Sequence, residues 1–204
     1  MIKLFFYFLI TFLSFFIAPV VEASGTHGIY LGADVGYSDA NYETVQLSYS
    51  YSFRSVDDTG VAPQFSLGYR FNKIAALELS VIYMSKIIFH GVGVHPERYD
   101  KLKHNLVYLA GKFLVPLYQG LGVYVKAGVG YVVRDRIMYG TIGAQHDIFL
   151  LKEGQFACPV YGLGVNYQVT DHWILDGTWM GAPQNKHEQL PNSNFFGIGA
   201  IYLF

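Results

Sequence analysis

The chain has 204 residues, of which 52% are hydrophobic, 17% aromatic and only 14% charged, with a formal net charge of −1. Soluble domains carry about 25% charged residues, so much of this surface faces something other than water, and the balanced charge excludes an electrostatic nucleic-acid partner. The single cysteine, Cys158, excludes an intrachain disulfide and reads as an ordinary residue near the start of a strand.

Residues 1–23 form a leader. Lys3 is followed by an apolar run from Leu4 to Val21, and Val21 and Ala23 take the minus-three and minus-one positions of a signal-peptidase site. The run approaches the length of a membrane anchor, but Pro19 and the small residues point to cleavage after Ala23. Residues 24–204 are then one mature domain. Cys158 is too far from the cleavage site to carry a lipid.

No later stretch holds the roughly 18 continuous apolar residues of a spanning helix. Alternation takes its place. Between residues 27 and 38, Ile29, Leu31, Val35 and Tyr37 oppose Tyr30, Gly32, Asp34 and Gly36. Phe65, Leu67, Tyr69 and Phe71 oppose Gln64, Ser66, Gly68 and Arg70, and Leu77, Leu79, Val81 and Tyr83 oppose Glu78 and Ser80. Val107, Leu109, Phe113 and Val115 oppose Tyr108, Ala110 and Lys112; Val123, Val125, Val129 and Tyr131 oppose Tyr124, Lys126, Gly128 and Arg134. Tyr161, Leu163, Val165 and Tyr167 oppose Gly162, Gly164 and Asn166, and Trp173, Leu175 and Trp179 oppose Asp176 and Thr178.

In the final segment, Phe204, Tyr202, Ala200, Ile198 and Phe196 share one face of a ten-residue strand. Ten residues suit a tilted bilayer crossing, with aromatics at both interfaces. Eight strands result, joined by long polar loops at 39–61, 85–103, 135–155 and 181–193 and by three short turns. The predicted fold is all-β, an eight-stranded antiparallel up-and-down transmembrane β-barrel, with both termini on the periplasmic side where the turns are short. An even strand number lets the first strand pair with the last, leaving no edge in lipid.

The segments Y-L-G-A-D-V-G-Y-S, S-L-G-Y-R-F-N, L-E-L-S-V-I-Y and V-Y-V-K-A-G-V-G-Y-V-V-R-D resemble the eight-stranded membrane domain of the outer membrane protein A family, over essentially the whole mature length. The resemblance implies a Gram-negative-type cell outer membrane, with outer-membrane lipids, lipopolysaccharide and the barrel-assembly machinery as partners. It also implies that Phe204 and the alternate residues before it form the assembly signal. The appended peptidoglycan-binding domain of larger members is expected to be absent. In that family inward charges gate the lumen. Glu78 and Lys112 match the family's glutamate and lysine, and Lys126 and Arg134 match basic positions; Asn166 stands where the family has a second glutamate, and Asp176 where it has an arginine. A reorganised network is expected, pairing Glu78 with Lys112 and Asp176 with Lys126 or Arg134.

The related lipid A deacylases use a His-x-Ser tripeptide, which is missing here; His187-Glu188 followed by Ser193 comes nearest. His90, His95 and His104, with Glu97 or Asp100, fit no compact metal motif. Tyr37, Tyr69, Tyr83, Tyr131, Trp173 and Trp179 suit interfacial girdles better than a ligand site. The expectation is a non-enzymatic scaffold without cofactor or metal, whose four loops meet an adhesion or surface ligand. A narrow pore gated by inward ion pairs is the alternative, and a lipid A-modifying enzyme the lesser one.

Overall fold

The structure is a computed structural model that describes residues 27–42, 55–90, 99–139, 154–185 and 187–204. The leader and its cleavage site at Val21 and Ala23 lie outside the described residues, as do His95 and Glu97. Ten strands follow in order: β1 (Gly28–Asn41), β2 (Ser55–Asp57), β3 (Thr59–Arg70), β4 (Ala75–Tyr83), β5 (Ile87–His90), β6 (Tyr99–Pro116), β7 (Leu121–Tyr139), β8 (Gly154–Gln168), β9 (Trp173–Ala182) and β10 (Asn192–Leu203).

Eight of them close into an antiparallel ring in the order β6-β4-β3-β1-β10-β9-β8-β7, with β7 returning to β6. Strands β1 and β10 pair from Tyr30↔Leu203 to Asn41↔Asn192, so the two ends of the chain share a ladder. The short strands β2 and β5 stand outside the ring, where β5 extends the sheet from the outer end of β6 and β2 pairs with β5.

Three tight turns share one end of the barrel with the start of β1 and the end of β10, called here the terminal end. Asn72 Oδ1 accepts from the Ile74 and Ala75 amides at 2.9 and 2.8 Å, and Thr170 Oγ1 accepts from the Trp173 amide at 2.9 Å. Between β6 and β7, Gln119 and Gly120 reverse the chain with φ of 48° and 82°, the left-handed region that glycine tolerates without strain. The other end is the loop end.

The expected loops are shorter than the sequence suggests. Residues 39–41, 59–61, 99–103, 135–139, 154–155, 181–182 and 192–193 read as loop on their polarity, but they continue the ring strands, while 55–57 and 87–90 build the added β2 and β5. Beyond the lipid the outer face meets water, so strand pairing continues there without the apolar alternation that reveals it.

Outward residues form an exposed apolar belt: Leu31, Val35, Leu67, Leu79, Leu109, Val129, Leu163, Leu175 and Ile198 are all solvent-facing in the isolated chain. Aromatics bound it, with Tyr37, Tyr83, Tyr131, Trp179 and Phe196 toward the loop end and Tyr69, Tyr167, Trp173, Tyr202 and Phe204 toward the terminal end. The interior is layered. An apolar cluster of Tyr30, Ala76, Leu114, Tyr124, Ile174, Ile201 and Leu203 fills the terminal end, and one containing Ile82, Leu106, Val132, Cys158, Val160, Met180 and Phe195 fills the loop end. Cys158 packs within the second. A polar layer lies between them.

Candidate functional site

The polar layer is a set of inward side chains delivered by alternation from five strands. Glu78 of β4, Lys112 of β6, Lys126 of β7 and Asp176 of β9 are each at most 6% exposed, and Asp34 of β1 is 7% exposed. Glycine makes the space. A Cβ on Gly68 would run into the Tyr30 ring, and one on Gly164 into the Tyr124 ring, so these two positions admit tyrosines across a narrow lumen.

Glu78 is the hub. Its Oε1 accepts from Lys126 Nζ at 2.6 Å and from Ser80 Oγ at 3.1 Å, and its Oε2 accepts from the Tyr30 hydroxyl at 2.8 Å. Tyr108 donates to Oε1 at 3.4 Å. Lys112 Nζ lies between the two carboxylates, 3.9 Å from Glu78 and 3.6 Å from Asp176, and sits 3.7 Å from the centroid of the Tyr124 ring. Tyr124 in turn donates to Asp176 at 2.7 Å. Two buried ammonium groups and two buried carboxylates thus share one network in which tyrosine hydroxyls satisfy further lone pairs, the condition for holding charge in a low-dielectric interior.

The expected pairing therefore changes in two respects. Glu78 takes Lys126 as its close partner and Lys112 as its distant one, while Asp176 meets Lys112 instead of Lys126 or Arg134. Arg134 cannot join, because it stands four inward positions beyond Lys126 along β7. Asn166, on β8, lies on the terminal side of the network. Asp34 was legible as inward but not singled out as charged. Its Oδ2 accepts from Gln64 at 3.2 Å, and its Oδ1 has no hydrogen-bond partner among the described residues.

Arg134 belongs to a second group near the loop end. Its Nη2 donates to the carbonyls of Glu188 and Gln189 at 3.2 and 3.0 Å, and its guanidinium lies 4.9 Å from the Phe156 ring. Asn185 and Leu190 exchange backbone hydrogen bonds at 3.1 and 2.9 Å, so the 185–190 turn folds over the lumen, with Leu190 only 1% exposed.

Beside Arg134, His104 of β6 contacts Tyr42 through Nδ1 at 2.6 Å and Ser193 of β10 through Nε2 at 3.5 Å. The serine–histidine pair sought in the sequence is thus formed between β6 and β10, with His104 in place of the exposed His187. Burial pushes the Tyr42 hydroxyl above its ordinary range, so it keeps its proton. A buried hydroxyl needs an acceptor, and Nδ1 is the acceptor within reach. The imidazole proton then rests on Nε2, aimed at Ser193. In that state Nε2 donates toward Ser193 and offers it no lone pair.

The remaining candidates separate. His90 pairs with Asp57 at 3.0 Å, and among the described residues no three His, Cys, Asp or Glu side chains gather as a metal site. At the terminal end Tyr202 stacks on His172 at 5.7 Å and meets Trp173 and Phe204 edge-on at 5.0 and 4.9 Å. Phe196, Ile198 and Phe204 point outward, and Ala200 and Tyr202 are partly exposed on that same face.

Residues 8–204 match the model of the outer membrane protein beta-barrel domain. No curated protein matches the chain. Among solved structures, the chain is similar to the N-terminal beta-barrel domain of Pseudomonas aeruginosa OprF, with 16% identity, 88% of this chain and 99% of that one covered, and a TM-score of 0.53. It is similar to Neisserial surface protein A, with 17% identity, coverage of 90% and 100%, and a TM-score of 0.56. For Ail, the attachment invasion locus protein of Yersinia pestis, identity is 13%, coverage 89% and 100%, and the TM-score 0.51. At such identities these likenesses establish the fold.

Proposed function

Because the chain belongs to the outer membrane protein beta-barrel domain family, we propose that it is a plugged outer-membrane scaffold whose working surface is the loop end. One observation carries this reading: the lumen is filled. Tyr30, Tyr108 and Tyr124 and the ion pairs they serve are at most 6% exposed, and Leu190, itself buried, packs on the loop side of them. A rigid barrel with its interior occupied has its variable surface in the loops, where binding residues concentrate on scaffolds. Long loops at one end and tight turns at the other support an arrangement with the loops outside the cell and both termini in the periplasm. The attachment in the name of Ail, the attachment invasion locus protein, fits a loop-borne adhesive role for this chain.

The test pairs two measurements on the refolded mature barrel. Replacing residues 43–54, 91–98 or 140–153 with short Gly/Ser linkers is expected to abolish cell or matrix binding while bilayer conductance stays silent. Discrete channel steps from the unaltered protein, with binding intact in all three replacements, would refute the scaffold reading.

A narrow gated pore is the second reading, favoured by a cavity that runs from the terminal end toward Lys112. On that reading Glu78→Ala and Lys112→Ala open or alter channel steps. On the scaffold reading both variants remain silent.

A further inference from the structure

The terminal end holds a cavity of about 210 Å³ between the Asn72 turn and the β6–β7 turn, far above the roughly 10–15 Å³ that one water requires. Arg70 and Lys73 line it on one side, Gln119, Asn166 and Gln168 on the other, and no Asp or Glu contributes to its wall. A smaller space of about 20 Å³ continues inward past Arg70 and Asn166 to Lys112, again without an acidic residue in its lining. The cavity is therefore a basic vestibule that ends beneath the lumen network.

Its walls are positioned. Arg70 Nε donates to the Asn72 carbonyl at 3.3 Å, which ties the guanidinium to the turn and leaves its terminal nitrogens without a protein acceptor among the described residues. The opposite wall is fixed where the Gln168 amide donates to the Gly120 carbonyl at 2.8 Å. Lys73 is exposed at the rim. Lys112 at the inner end is already engaged by Asp176 and Glu78, so the uncompensated positive charge of the vestibule is that of Arg70 and Lys73. The Arg70 guanidinium and Lys73 ammonium in one lining, with the Asn166 and Gln168 amides opposite and Gln119, whose Nε2 also donates to the Tyr118 hydroxyl at 3.0 Å, make donor chemistry suited to a compact oxyanion.

We propose that this vestibule binds a phosphate group, with Arg70 and Lys73 supplying the charge and Gln119, Asn166 and Gln168 the surrounding amide donors. Two sources carry that chemistry, a free phosphate and the headgroup of an anionic phospholipid in the adjoining leaflet. The site is independent of what the loops bind, so its failure leaves the scaffold reading intact.

The experiment uses the folded protein in nanodiscs, with folding verified by heat-modifiable gel mobility. In zwitterionic lipid, inorganic phosphate is titrated and followed by ³¹P NMR and calorimetry; in discs containing phosphatidylglycerol, retained lipid is counted by native mass spectrometry. Saturable phosphate binding that weakens about tenfold in Arg70→Gln and in Lys73→Gln, and is unchanged in Lys86→Gln, supports a free phosphate. Stoichiometric phosphatidylglycerol that is lost in Lys73→Gln, without phosphate binding, supports the headgroup. Lys73→Gln alters an exposed turn residue, so the test survives if Arg70→Gln does not fold. Absence of both ligands, or binding indifferent to both substitutions, overturns the proposal.

Discussion

At the residue scale the molecule turns on Glu78, which receives Lys126, Tyr30, Tyr108 and Ser80 and approaches Lys112. Removing the carboxylate leaves a buried ammonium without its close partner, so Glu78→Ala is expected to destabilise the barrel by about 3–5 kcal/mol in a reversible urea titration in micelles. Glu78→Ala with Lys126→Ala should cost less than the sum of the two single changes, because the pair is lost together. Gly164→Ala drives a methyl into the Tyr124 ring, and is expected to cost about 1–3 kcal/mol in the same titration. Tyr124→Leu in that background should recover part of the loss. The inward position of each lumen charge was legible in the sequence, because period-two alternation assigns a face without any knowledge of neighbours. Partner choice was not. Whether Lys126 or Lys112 reaches Glu78 depends on the stagger between strands around a closed ring, which no single strand encodes.

At the scale of elements, the strands were readable only as far as lipid imposes its pattern. Between the aromatic girdles each outward residue must be apolar, and the eight crossings stand out; beyond them β6 and β7 run on to Tyr99 and Tyr139 in polar sequence that looks like loop. The turn at 185–190 was hidden for a different reason. Arg134 holds it by backbone carbonyls, which carry no signature of residue type. Arg134→Met, which keeps bulk but removes the donors, is expected to release this turn and speed proteinase K cleavage near His187 several-fold, with the barrel core remaining resistant. Unchanged cleavage would mean that Leu190 and its backbone bridge to Asn185 hold the turn unaided.

At the scale of the whole molecule, the apolar belt and the polar centre reverse the distribution of a water-soluble domain, and the low charged fraction announced this before any element was assigned. Leu79 lies midway along the outward face of β4, opposite Leu67 and Leu109. Leu79→Arg is expected to cost about 2–4 kcal/mol, measured by folding into vesicles, while a charge near the girdles should cost about 0–1. Equal penalties at both depths would contradict the assignment of the belt to lipid.

The ladder joining Tyr30–Asn41 to Asn192–Leu203 also sets an order of events. The first strand to leave the ribosome finds one of its two neighbours only in the last, so the growing chain has a bare edge throughout its synthesis. Closure depends on the most distant contacts the sequence can make, the kind that slows folding and exposes unpaired strands to aggregation. Unpaired edges therefore persist until the final residues are available, and a chain truncated before residue 192 is expected to form an open sheet with two adhesive edges in place of a shorter barrel.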